Sequence, residues 1–125
     1  MQYLLDSVIL IDHFNNISAA THYLSQHQGN IAISVITRAE VLTGFKTSST
    51  RLLAKQLLDQ FTLFPVYAPE ADLAATIRHE LHLKLPDALQ VAIAKIHRLK
   101  LVTRNTKDFN PKKHSFVVIP YEVYR

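Results

Sequence analysis

Residues 85–109 read LPDALQVAIAKIHRLKLVTRNTKDF, and this stretch decides the fold. Pro86 suits the first turn of a helix, where its missing N–H costs nothing. Apolar residues then recur at Leu85, Leu89, Ala92, Ile96 and Leu99 in alternating steps of four and three, which predicts a helix with that face turned to a core. Arg98 and Lys100 fall where the helix dipole favours positive charge, Leu101-Val102-Thr103 is a short β-type run, and residues 104–108 are polar. A buried helix therefore leads into a buried strand. Asp87 opens the helix and Asp108 lies just past the strand, and in an α/β fold those positions share one edge of the sheet, where ligands bind.

Working outward, Pro69 with Glu70 and Asp72 in the first turn opens a helix reaching about His82. Residues 64–67 read as a short edge strand, since Pro65 cannot serve a central ladder, and residues 50–64 read as a helix on the spacing of Leu53, Leu57, Leu58 and Phe61. Thr37 to Glu40 matches a capping box, with Ile36 and Val41 as its hydrophobic staple and Gly44 as the stop. That arrangement would itself account for Glu40, which would reach back to the Thr37 N–H. Ile31-Ala32-Ile33 is a strand, and residues 18–28 are an amphipathic helix closed by Gly29-Asn30. At the N-terminus a strand over residues 2–5 ends at Asp6 and a short helix opens at Ser7; residues 116–120 form a last strand. Strands and helices alternate without repeat or linker. The expected architecture is one α/β domain over residues 1–125, with a mostly parallel central sheet and helices on both faces.

Composition narrows the function. The 125-residue chain is 48% hydrophobic and 19% charged, enough for one domain with its own core. It has no cysteine, which excludes a disulfide scaffold and thiol chemistry and fits a reducing cytoplasm. No apolar run approaches the ~20 residues that span a bilayer, so the expectation is a cytoplasmic protein with no membrane partner. Its two glycines, Gly29 and Gly44, cannot build a P-loop or a dinucleotide fingerprint. The seven histidines lack metal-site spacing; His79-Glu80-Leu81-His82 puts its pair three apart and fails the zinc-protease pattern. The net charge of +4 is uneven: no Lys or Arg precedes Arg38, whereas Lys95, Arg98, Lys100, Arg104, Lys107, Lys112, Lys113 and Arg125 face only Asp108 and Glu122 near the C-terminus. Such a surface either attracts a polyanion or is a solvated basic face.

What remains is a set of acids at the ends of expected elements: Asp6, Glu40, Asp87 and Asp108. Each has a local explanation as a turn, cap or helix-dipole partner. Brought to one edge they would repel unless a cation intervened, and oxygen ligands without His or Cys suit Mg²⁺ or Mn²⁺. At these residues the chain resembles the PIN-domain ribonucleases, especially the small VapC-type toxins of toxin–antitoxin pairs. LLDSVILID looks like the opening strand of that family, SVITRAEVLTG is similar to its S-x-x-T-x-x-E-L-x-x-G segment, LPDALQVAIA resembles P-D-A-L-I-A-A, and LVTRNTKDF resembles T-x-N-x-x-D-F. Val41 stands where Leu is common, and Gln90-Val91 replaces the usual second half of the third motif.

The resemblance implies Mg²⁺-dependent cleavage of RNA phosphodiester bonds. In that reading Asp6, Glu40, Asp87 and Asp108 are the metal-binding and catalytic acids. Ser7 and Asn105 orient ligands or phosphate, Asp12 supports the site from behind it, and Arg104 and Lys107 contact phosphate. It also implies a cognate antitoxin and pairing as a homodimer, for which apolar stripes on the helices over 18–28 and 50–64 are candidate surfaces. The alternative is a PIN-like module that binds RNA or a partner without cleaving. A phosphoacceptor receiver would need an Asp closing a mid-chain strand, where residues 52–64 read as helix.

Overall fold

Strand β1 (Tyr3–Leu5) runs directly into helix α1 (Ser7–Phe14), with Asp6 between them ending one and capping the other. Then come α2 (Ser18–Gln26), β2 (Ile31–Ser34), α3 (Val35–Thr43), α4 (Ser48–Leu58), β3 (Thr62–Phe64), α5 (Ala68–Leu81), α6 (Leu85–Ile96), β4 (Lys100–Val102) and β5 (Val117–Val118). The computed structural model describes residues 2–123; Arg125, one of the C-terminal basic residues, lies outside them.

The five strands form one sheet in the order β3-β2-β1-β4-β5, and every pairing is parallel. β1 is central, with Leu4 opposite Ala32 on one side and Leu101 on the other. Side chains alternate between faces, so Leu4, Ala32 and Leu101 join Ala88, Val91 and Ala92 of α6 in one core. Leu5, Ile33 and Val102 join Ile9, Leu10, Tyr23, Leu24, Val41 and Leu58 in the other. Helices thus cover both faces, as a parallel sheet requires. The strand order reverses between β1 and β4, and the crevice beyond the carboxyl ends of those two strands is where such folds bind ligands.

Several sequence expectations shift. The capping residue of α3 is Ser34, whose Oγ accepts the Thr37 N–H at 3.1 Å. Thr37 is therefore inside the helix, and the expected capping box and its staple do not form. Gly44 still closes the helix. α4 stops at Leu58, and the edge strand β3 begins at Thr62, inside the segment read as helix; Pro65 lies just past it. Within α4, Ala54 and Leu58 face the core, while Leu53, which anchored the helical reading, is 65% exposed. Of the expected inward face, Ala92 and Leu99 are buried and Leu89 packs against the core, but Leu85 and Ile96 are exposed, and burial extends beyond that stripe to Ala88 and Gln90 through Ala94. Burial that runs nearly all round the middle of a helix is not traced by a single apolar stripe. α2 presents polar residues to solvent, so it has no exposed apolar stripe.

Candidate active site

Asp6 sits where β1 becomes α1, 8% exposed. Its Oδ1 accepts the Ser7 N–H at 2.9 Å and its Oδ2 accepts the Thr103 hydroxyl at 2.7 Å, which fixes the carboxylate plane. Burial pushes its pKa up, against those two hydrogen bonds. Thr103, the fully buried residue after β4, also accepts the Asn105 N–H at 3.1 Å, so one hydroxyl ties Asp6 to the following loop. Sequence reasoning counted Thr103 only as a strand residue. The signal available was its place as the hydroxyl opening the T-x-N segment.

Glu40 lies in the second turn of α3, with no capping role to occupy it. Its pKa is raised by burial and then by the Asp6 charge, while a hydrogen bond with the Ser7 side chain opposes both. Asp87 lies in the first turn of α6, whose helix dipole favours its negative charge. Even so, its carboxyl is pushed up to about 6, first by burial and then by Asp6, Glu40 and Asp108, with Lys84 opposing. That is the electrostatic mark of acids facing one another. Asp6, Glu40 and Asp87 line one cleft of about 480 Å³ with Ser7, Val8 and residues 104–107. Asp108 does not line it, though its charge acts on Asp87: it is exposed, its Oδ2 accepting the Asn105 Nδ2–H at 3.0 Å and its own N–H donated to Asn105 Oδ1 at 3.3 Å.

Asp12 is not part of the cleft wall. It is 2% exposed and accepts Arg104 Nε at 2.6 Å, Arg104 Nη2 at 2.8 Å and the Tyr121 hydroxyl at 2.9 Å. Arg104 does line the cleft, but two of its donors are engaged behind it. Lys107 is exposed at the cleft and has no ion pair among the described residues.

A buried polar network stands behind the acids. Ser34 Oγ donates to Gln90 Oε1 at 2.5 Å, Gln90 Nε2 donates to Thr37 Oγ1 at 2.6 Å, and Thr37 Oγ1 donates to the Leu5 carbonyl at 3.0 Å. The unusual Gln90 thereby links α6, α3 and the end of β1, the elements that present Asp87, Glu40 and Asp6.

The donor chemistry fits a hard divalent cation: carboxylate oxygens, no nearby thiol, and a mutual repulsion that a cation would reverse. Among the described residues no group of three or more His, Asp or Glu is gathered closely enough to enclose an ion as the side chains stand. The fit is therefore one of charge and donor type, with the carboxylates facing a common space.

A parallel α/β domain with acids at the carboxyl ends of its central strands is the class these observations define. The chain belongs to the PIN domain family, whose model matches residues 3–113. It is 32% identical over 113 residues to Ribonuclease VapC10 of Mycobacterium tuberculosis, 85% of this chain and 84% of that one. It is also similar to a toxin-antitoxin complex chain from Klebsiella pneumoniae, with TM-score 0.90 and 38% identity over 98% of this chain and 100% of that one. FitAcB from Neisseria gonorrhoeae shares the fold, with TM-score 0.79 and 22% identity over 98% of this chain and 100% of that one.

Proposed function

We propose that this protein is an endoribonuclease, dependent on Mg²⁺ or Mn²⁺, that acts as the toxin of a toxin–antitoxin pair in the cytoplasm. The observation that carries the reading is the convergence of Asp6, Glu40 and Asp87 on one cleft at the carboxyl edge of β1 and β4, where burial first and then the charges of the other acids lift Asp87 to about 6. Family membership and the 32% identity to a protein named a ribonuclease support the choice of RNA.

Asp6, Glu40, Asp87 and Asp108 would hold the cation. The chemistry supplied when it is bound is Lewis acidity, which makes water nucleophilic near neutral pH and offsets charge growing on the phosphate. The chain's own part is positioning. Ser7 and Thr103 hold the two oxygens of Asp6, and Asn105 holds Asp108. Lys107 draws the phosphate backbone to the rim.

Binding by an antitoxin and pairing as a homodimer belong to the same proposal, supported by the complex from Klebsiella pneumoniae at 38% identity. Leu52 and Leu53 on α4, 57% and 65% exposed, are a neighbouring apolar pair available for either role. The test is cleavage of RNA by purified protein with and without Mg²⁺, beside Asp87→Asn. Metal-dependent cleavage that disappears in the variant is expected. Cleavage by the variant at the wild-type rate overturns the site assignment, and RNA binding without cleavage favours the non-cleaving module.

A further inference from the structure

The basic residues of the C-terminal third do not all lie at the cleft. β4 and β5 are parallel neighbours, so the chain between them must cross from the carboxyl edge of the sheet back to its amino edge. It does so without a helix, through turns and bends over residues 103–116. Phe109, 1% exposed, pins the middle of this connection into the core. The cations on either side of it point to solvent: Lys107 at the cleft, Lys112 and Lys113 beyond.

The connection ends at a second cluster, built from the end of α6 and the start of β4. Lys95 Nζ stands 5.1 Å from the centre of the Phe116 ring, and the His114 ring lies 5.2 Å from the same ring at 33°. Lys100 Nζ donates to the Ser115 carbonyl at 3.2 Å. Between Asp87 and Glu122 the sequence has Asp108 as its sole acid, and Asn105 already engages that carboxylate. The exposed large hydrophobic residue nearest in sequence to these cations is Ile96, beside Lys95, and none falls between residues 97 and 123.

We propose that this crossover and the cluster at its end form a track for single-stranded RNA, leading from the cleft over the β4–β5 side to the opposite edge of the sheet. Cations spaced along an irregular connection match a flexible polyanion, and the half-buried His114 ring, backed by a Phe116 that packs on the core and carries Lys95 over its face, is the ring placed for base stacking. A protein partner would call for a cluster of apolar anchors, and along the sequence of this surface only Ile96 is an exposed large hydrophobic residue. The track rests on the endoribonuclease reading and gives it a direction: substrates long enough to reach the far cluster are held more tightly than short ones.

The test compares RNA oligonucleotides of about 6 and about 20 nucleotides, lengths that bracket typical single-strand sites. Two double variants, Lys95→Glu/Lys113→Glu and Lys112→Glu/Lys113→Glu, are measured beside the wild type; the second leaves the ring cluster untouched. Cleavage of both RNAs is followed, and binding is measured at several salt concentrations in an Asp87→Asn background. The expected result is a wild-type preference of about tenfold or more for the long RNA. Each double variant loses that preference but keeps short-RNA cleavage, with a salt slope smaller by about 0.7 for each phosphate no longer neutralised. A wild type indifferent to length, variants that keep the preference and slope, or displacement of RNA by poly-glutamate as readily as by RNA itself would overturn the track. If no RNA is cleaved, the nuclease reading fails on its own. The binding arm still decides the track: length-dependent binding that vanishes in both variants supports it, and unchanged binding overturns it.

Discussion

At the scale of single residues, Arg104 and Lys107 are distinguished by what stands behind them. The sequence offers both as phosphate ligands; the fold gives the Arg104 fork a buried carboxylate, while Lys107 stays at the rim. Breaking a buried pair from one side strands the other charge, at a cost of about 3–5 kcal/mol when both are fully enclosed. Arg104 is 28% exposed, so Arg104→Ala should cost about 3 kcal/mol or less and lower the melting temperature clearly; Lys107→Ala should move it little and instead reduce the salt slope of RNA binding. Equal melting temperatures for the two variants would contradict this division. Asp87 makes a second prediction. Its carboxyl is raised from an ordinary 3.8 to about 6, so the folded protein holds this proton more tightly than the unfolded chain. The group therefore favours the fold at low pH, and that contribution is lost as pH rises between those values. Asp87→Asn removes the slope: without metal the variant should melt at or above the wild type at pH 7, and their difference should shrink towards pH 4. Melts across that range check the sign.

At the scale of elements, the cleft depends on how α3 and α6 seat against β1, and Gln90 is the residue that joins them. Gln90→Leu fits the buried volume but leaves Ser34 and Thr37 with one fewer partner each. Unsatisfied buried groups cost about 1–3 kcal/mol. Cleavage should fall together with stability, because Glu40 and Asp87 ride on the two helices that the amide holds; a variant as stable and active as the wild type would show that apolar packing alone seats them. The sequence made the elements legible but left their faces and starts ambiguous. The sequence points to Thr37 as the cap, but the strand runs straight into the helix, and Ser34, three residues earlier, fills that place. With Glu40 freed from a capping role, the local explanation that competed with a functional one disappears. In α6 the small residues Ala88, Ala92 and Ala94 allow close packing against the sheet, and periodicity of large side chains cannot reveal that. Glu70 shows a similar limit: it reads as a helix-dipole acid, yet it is 4% exposed, with Oε1 3.2 Å from His97 Nε2.

At the scale of the whole molecule, alternation of strand and helix was enough to imply a parallel sheet, because parallel neighbours need crossovers. Strand order was not legible, since it depends on which way each crossover turns. That order brings Asp6 and Thr103, 97 residues apart in sequence, into a hydrogen bond and places the switch in order at the cleft. The resulting concentration of negative charge yields a final prediction about the entire fold. Without a cation the carboxylates repel one another; a cation that binds the folded chain and not the unfolded one stabilises by mass action, about 2.7 kcal/mol at a hundred times its dissociation constant. Mg²⁺ or Mn²⁺ should therefore raise the wild-type melting temperature in a concentration-dependent way. Asp108→Asn and Asp87→Asn should start as stable as the wild type or more so, and should gain less from the metal. If these acids were unrelated caps, each loss would cost some tenths of a kcal/mol to about 1 with or without metal, and no metal shift would exist to lose. The two accounts thus differ in sign for the metal-free variants and in magnitude for the metal response. A wild-type midpoint indifferent to both ions, with both variants less stable, would remove the physical support for a metal-dependent nuclease while leaving the PIN fold intact.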